Sequence, residues 1–181
     1  DNANHAIQLL ATGFPNRSHD YWAAALSAID CFGGNRAAQV PAGYLWMDRS
    51  NPTGVMLTPA SMRVQSDGKA QRIVNLASWY VEPAARWKAP LMLRSVMQQN
   101  DAVYTDLSPT EPVQKMLTAF GFKQVTRGVS LNLLAVEAVT GRTSSRVQDL
   151  SAVPAAAIKR ETRELLLQHR PFNCAAAAFR D

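Results

Sequence analysis

Arg86-Trp87-Lys88-Ala89-Pro90-Leu91 places two cations, a small residue and a proline at a strand-to-helix joint. Such a joint aims unpaired backbone N–H groups and the positive end of the helix macrodipole outward, and both attract phosphate. Glycine usually lets an anion approach that backbone. This turn has no glycine, and Pro90 removes one N–H donor. Two readings therefore stand together: a phosphate cradle, and a plain bend between two elements. Other reactive residues do not assemble by spacing. His5, His19 and His169 lack the intervals of metal ligands, so no metal is expected. Cys31 and Cys174 are far apart and read as free thiols in a reducing compartment. There is no Gly-x-Ser-x-Gly elbow. Trp22, Trp46 and Trp79 read as packing residues. Trp87 lies in the turn itself and suits either a ligand's neighbour or a cover for the helix end.

The elements that must position this turn follow from periodicity. Ile7, Leu10, Ala11 and Phe14 keep helical spacing up to Pro15. Ser18 is an N-cap for a second helix whose apolar face is Tyr21, Trp22, Ala25, Leu26 and Ile29. Gly33-Gly34-Asn35 breaks that helix. Val40 to Met47 and Gly54 to Val64 read as an antiparallel hairpin turning at Ser50-Asn51-Pro52, and Ser66-Asp67-Gly68-Lys69 is another turn. Strand Ile73 to Val81, helix Ala85 to Gln98 and strand Ala102 to Leu107 form a βαβ unit, whose strands are parallel. Helix Thr110 to Phe120 stops at Gly121. Gln124 to Val136 holds one or two more strands. Gly141 to Ser151 reads as a linker, Pro154 to His169 as a helix, and the stretch from Asn173 as a final strand.

Composition sets outer limits. The chain has 181 residues, 47% hydrophobic and 18% charged, which suits one sizeable globular domain. No apolar run spans a bilayer, so no membrane partner is expected. The net charge is +5 and the pI about 9.6. Lys and Arg are dispersed, without an aromatic–basic platform, so the charge reads first as a solvated basic surface, nucleic acid is not expected, and a small polyanion such as a nucleotide cofactor is the fitting anionic partner.

The order from Ile73 to Phe122 resembles the GNAT superfamily of acyl-CoA N-acyltransferases. The resemblance rests on Val81-x-Pro83 ending the strand and on Arg86-x-x-Ala89-x-Leu91 in place of Gln/Arg-x-x-Gly-x-Gly/Ala. It rests also on Ala119-Phe120-Gly121-Phe122 closing the later helix. It implies an α/β (α+β) fold: a mixed, mostly antiparallel sheet with a central splayed parallel strand pair, flanked by helices. The acyltransferase domain would span residues 1–139, with a C-terminal extension over 140–181. The activity implied is transfer of an acyl group, acetyl in the simplest case, from acyl-CoA to an amine. The alternative is a ligand- or partner-binding module without chemistry. Acetyl-CoA, or another acyl-CoA, would lie along Trp79 to Val81, with phosphates at Arg86, Trp87, Lys88, Ala89 and Leu91. Thr110, where the family often has Asn, would keep a hydrogen bond. The family's general base falls on Asn75 and its general acid on Leu117, so neither role is filled. Tyr80 and Tyr104, on the two central strands, are the candidate substitutes, beside the plainer reading that they fill or rim the sheet. Period-two alternation puts Ser78 on the face of Tyr80 and Asn75 on the other. The partner implied is a small-molecule or peptide amine, the location cytoplasmic, and a homodimer is left open.

Overall fold

The structure is a computed structural model that describes residues 2–31, 33–65, 67–98, 101–125, 146–168 and 177–180. It divides into two compact units, Asp1–Gln124 and Val125–Asp181. The first opens with helices α1 (Asn2–Gly13) and α2 (His19–Cys31). Ser18 caps α2 as its residue type suggests, its Oγ accepting from the Tyr21 N–H at 3.2 Å. Trp22 is buried, whereas Tyr21 is 45% exposed and carries the Arg17 guanidinium 4.7 Å above its ring. Gly33, at φ 66°, ends the run but also starts a short helix α3 (Gly34–Ala38).

Strands β1 (Gly43–Asp48), β2 (Asn51–Leu57) and β5 (Ala77–Val81) form one sheet. Strands β3 (Ala60–Val64), β4 (Ala70–Asn75) and β6 (Ala102–Thr105) form another. β2 and β3 are separated only by Thr58-Pro59, and β4 and β5 only by Leu76. Two long antiparallel arms therefore cross both sheets. β6 runs parallel to β4, with Arg72 opposite Ala102 and Asn75 opposite Thr105. The expected strand Ile73 to Val81 is thus two strands, and the parallel neighbour is shorter than Ala102 to Leu107.

A register change explains the division. Leu57 faces Ala77 and Val55 faces Tyr80, so two steps on β2 match three on β5. The extra residue is a β-bulge, and Ser78 within it has φ 48°. The bulge reverses the alternation. Leu76, Trp79 and Val81 pack toward helices α4 (Ala89–Val96) and α5 (Glu111–Ala119), while Ala77 and Tyr80 pack toward α1 and α2. Simple alternation from Ser78 to Tyr80 therefore fails, and Asn75 falls on the face of Ala77 and Tyr80 instead.

Two apolar layers hold this sheet. Leu9, Leu10 and Trp22 bury against Val55 and Leu57 on one face; Leu93, Val96 and Leu117 bury against Met56 and Leu76 on the other. Each such side chain contributes roughly 1.5–3 kcal/mol on full burial. α5 ends at Gly121, whose φ of 88° suits the position after a helix.

In the second unit, β7 (Arg146–Asp149) pairs antiparallel with β8 (Ala177–Arg180), followed in sequence by short 3₁₀ turns and α6 (Arg160–Gln168). Part of the expected linker is thus a strand, and the expected helix from Pro154 begins only at Arg160. Of the strands expected from Gln124 to Val136, Gln124 and Val125 lie in no element and the rest falls outside the described residues, as does the domain boundary at 139. No helix among the described residues is long and apolar enough to cross a membrane.

Candidate functional site

The site begins where β4 and β6 part. Asn75 and Thr105 are their last register pair. The Leu76 N–H then donates to the Thr105 carbonyl at 2.7 Å, after which the upper arm pairs with β2. Thr105 Oγ1 donates to Asn75 Oδ1 at 3.2 Å. Beyond this crotch the bulged β5 leaves Trp79 with a buried indole N–H that finds no acceptor among the described residues. Such a donor is costly unless a ligand or water meets it.

β5 leads into the helical layer through Glu82-Pro83. Pro83 presets the helical φ, and a 3₁₀ helix, Pro83–Lys88, runs straight into α4. The open turn expected at Arg86–Leu91 is therefore already helical. The Ala85 N–H donates to Glu82 O at 2.8 Å, the Ala89 N–H to Arg86 O, and Pro90 has none. Arg86 is exposed and its Nε leans on the Val81 carbonyl at 3.4 Å. Lys88 pairs with Asp48 at 3.3 Å and lies 5.3 Å from the Trp87 ring. Trp87 and Leu91 are 71% and 62% exposed, an apolar shelf beside two cations. Val81 is buried with Ala85 and Met92.

The two candidate tyrosines are not brought together. Tyr104 Oη donates to the Val96 carbonyl at 3.0 Å and ties β6 to the end of α4. Tyr80 lies on the opposite face, its ring so close to Gly13 that a Cβ there would stand 2.3 Å away. An open depression of about 560 Å³, lined by Gly13, Phe14, Pro15, Asn16 and Arg17, occupies the α1–α2 loop on that side. Thr110 N-caps α5 through its backbone only, leaving its exposed hydroxyl uncommitted. Leu117, at 4% exposure, is a core residue.

Sequence reasoning passed over Asp106. It follows the last rung of β6, is half-buried, and accepts from the Ser108 N–H at 3.1 Å. Burial raises its carboxyl above the ordinary value, with the Ser108 bond acting against that rise. Its signal was Thr-Asp-Leu-Ser at the strand end, which reads as an ordinary Asx turn.

No protein-family model matches the sequence, and no curated protein matches it. Solved structures do match. AAC(6')-Iy, in complex with the bisubstrate analogue CoA-S-monomethyl-acetylneamine, is similar with a TM-score of 0.51 and 20% identity, over 72% of this chain and 90% of that one. An acetyltransferase of Trypanosoma brucei has a TM-score of 0.49 and 17% identity, over 73% of this chain and 93% of its own. Glucosamine-6-phosphate N-acetyltransferase of Arabidopsis thaliana has a TM-score of 0.48 and 9% identity, over 72% and 90%. The chain has the GNAT, or acyl-CoA N-acyltransferase, fold.

Proposed function

We propose that the first unit is an N-acyltransferase, moving an acyl group, acetyl in the simplest case, from a coenzyme A thioester to an amine. The observation that carries this reading is the divergence of β4/β5 from β6, beyond which β5 holds Trp79, whose buried indole N–H finds no acceptor among the described residues. A pantetheine arm bears amide carbonyls and meets such a donor well. Trp79 and Val81 would offer backbone groups along the arm. Arg86, Trp87, Lys88, Ala89 and Leu91 would border the phosphates, with the two cations supplying charge and Trp87 and Leu91 an apolar shelf. Thr110 has a free hydroxyl to offer.

When bound, the thioester supplies the activated acyl group. The chain's own residues align the amine, exclude water and manage protons. Tyr80 is the tyrosine on the face of the α1–α2 depression. The Tyr104 hydroxyl is engaged with Val96, which favours an anchoring role. Asp106, at the end of β6, is the carboxylate with a raised pKa and is the better candidate to take a proton from the amine. We place the protein in the cytoplasm, with a small-molecule or peptide amine as its partner and a homodimer as the assembly to test.

A second reading has one observation in its favour. Helical bonding consumes the Ala89 amide and Pro90 has none, so the cradle is poorer than the fold normally offers. A binding module without chemistry would tolerate that. Isothermal titration with coenzyme A separates the fold-based reading from no cofactor at all. Saturable heat supports the transferase; absence of heat at millimolar coenzyme A removes it. Acetyl transfer to a panel of amines then separates enzyme from module.

A further inference from the structure

The Asn75–Thr105 pair stands at the crotch of the splay. Thr105 Oγ1 donates to Asn75 Oδ1, so the carboxamide turns its Nδ2 away from β6. Among the described residues nothing accepts from that Nδ2. Asn75 is half-buried and shares the sheet face of Ala77 and Tyr80, the face that carries the α1–α2 depression. On the acyltransferase reading a cofactor arm along Trp79–Val81 would have its phosphates toward Arg86 and its thioester toward the bulge and the crotch. Asn75 would then lie on the acceptor's side of the reacting atoms.

A carboxamide there can donate hydrogen bonds but cannot take a proton. We propose that Asn75, held by Thr105, reads an oxygen beside the acceptor's amine, and that the acceptor is an α-amino acyl compound, with a carbonyl next to a weakly basic amine. This rests on the acyltransferase reading above. The carbonyl oxygen receives the Asn75 N–H. The neighbouring amine is already neutral in useful amount: with a pKa near 8, about a quarter of α-amines are free at pH 7.5, against about 0.1% of lysine-like amines near 10.4. In the transfer the amine lone pair attacks the thioester carbonyl carbon. The carbon–sulfur bond breaks, the thiolate leaves, and the amine's surplus proton passes to a base or to the thiolate. Thr105 is a positioning residue: it sets which end of the carboxamide faces the acceptor.

The test compares L-alaninamide with n-butylamine. Wild-type protein is expected to acetylate L-alaninamide with the lower KM and the higher kcat/KM. Asn75→Leu and Thr105→Val are expected to raise the KM for L-alaninamide roughly tenfold, to leave the KM for acetyl-CoA unchanged, and to alter n-butylamine little. Thr105→Ser restores the wild-type pattern. Asn75→Asp, an acceptor of hydrogen bonds and of protons, shifts the preference toward n-butylamine. Equal effects of Asn75→Leu on both amines would overturn the proposal. A binding measurement independent of turnover keeps it testable. The Asn75 side-chain ¹⁵N–H₂ signal, assigned by its loss in Asn75→Leu, should move on adding L-alaninamide to coenzyme A-saturated protein and stay put with n-butylamine. A still signal in protein that binds coenzyme A sinks the acceptor assignment alone. Failure to bind coenzyme A sinks the transferase reading and the acceptor assignment with it.

Discussion

Asn35 uses both ends of its carboxamide on backbone groups of two segments, the α3–β1 connection and the gap between β2 and β3. Its Nδ2 donates to the carbonyls of Pro41 and Thr58 at 2.9 and 2.8 Å, and more distantly to Val40 at 3.2 Å; its Oδ1 accepts from the Ala60 N–H at 2.9 Å. Thr58, fully buried, adds a bond from Oγ1 to the Pro41 carbonyl. Asn35→Ala should cost about 2–3 kcal/mol by stranding buried polar groups. Asn35→Asp should cost more, since a carboxylate oxygen then faces three carbonyls. Urea midpoints decide it, and an aspartate variant as stable as the alanine variant would disprove the hub. In sequence, Gly33-Gly34-Asn35 carried only a break signal; which backbone groups Asn35 would meet depended on a strand gap far along the chain. Asp106 was hidden for a related reason, because burial rather than residue type distinguishes it. Burial raises its folded pKa above 3.8, so the folded state holds the proton more tightly than the unfolded chain does. Its contribution is fullest below the unfolded value and is lost as pH rises through the folded one. Wild-type protein should therefore lose stability relative to Asp106→Asn as pH climbs from about 4. A stability difference flat with pH from acid to neutral would show that the carboxyl is not desolvated.

At the scale of elements, β5 is set by two features, the bulge at Ser78 and the approach of α1. The strand itself was legible from Ile73 to Val81, because β-branched and aromatic residues crowd there. The bulge was not, since Ser78 is no glycine and nothing in Ala-Ser-Trp-Tyr announces φ 48°. It shows only in the pairing with β2, and it alone moves Tyr80 to the α1 face. A serine in that region of backbone space is strained by about 1 kcal/mol or more. Ser78→Gly should keep or raise the melting temperature, and Ser78→Val should lower it, the branched side chain being least tolerant of positive φ. Equal melting temperatures for the two variants would argue against the bulge. The approach of α1 is close enough to test separately. A Cβ on Gly13 would meet backbone-anchored atoms of the Tyr80 ring at 2.3–2.8 Å, so Gly13→Ala should destabilise by about 1–3 kcal/mol. In a Tyr80→Ala background most of that penalty should vanish, a coupling that a double-mutant cycle measures. Additive effects would mean that the helix end and the strand do not touch. Leu117, where an acid was sought, is likewise an element-level matter. It bridges α5 to Leu93 and Val96 in the core, so Leu117→Tyr overpacks before it can donate a proton.

For the molecule as a whole, the order of helices, hairpin arms and βαβ crossover was readable because each element has its own periodicity and the crossover fixes which strands run parallel. The helical entry at Pro83 was not, because the proline that ends a strand also starts a helix, and spacing alone does not say which residue the first turn uses. The same limitation hid β7 inside a polar stretch: Arg146–Asp149 has no alternation of its own and is a strand only because Ala177–Arg180 pairs with it. Net charge belongs to this scale as well. At +5 the chain would attract a polyanionic cofactor, as proposed above, from a distance, while Lys88, the cation beside Trp87, is partly answered by Asp48. Long-range attraction is screened beyond roughly 8 Å at physiological salt, but the contact ion pair is screened less. Association of coenzyme A should therefore slow several-fold between low and high ionic strength, with dissociation changing less. Asp48→Asn, by freeing Lys88, should quicken association and tighten binding most at low salt. Stopped-flow fluorescence from Trp87 reads both rates, with Trp87→Phe identifying its share of the signal. Rates independent of salt, or an Asp48→Asn variant that binds no faster, would place the phosphates away from Lys88.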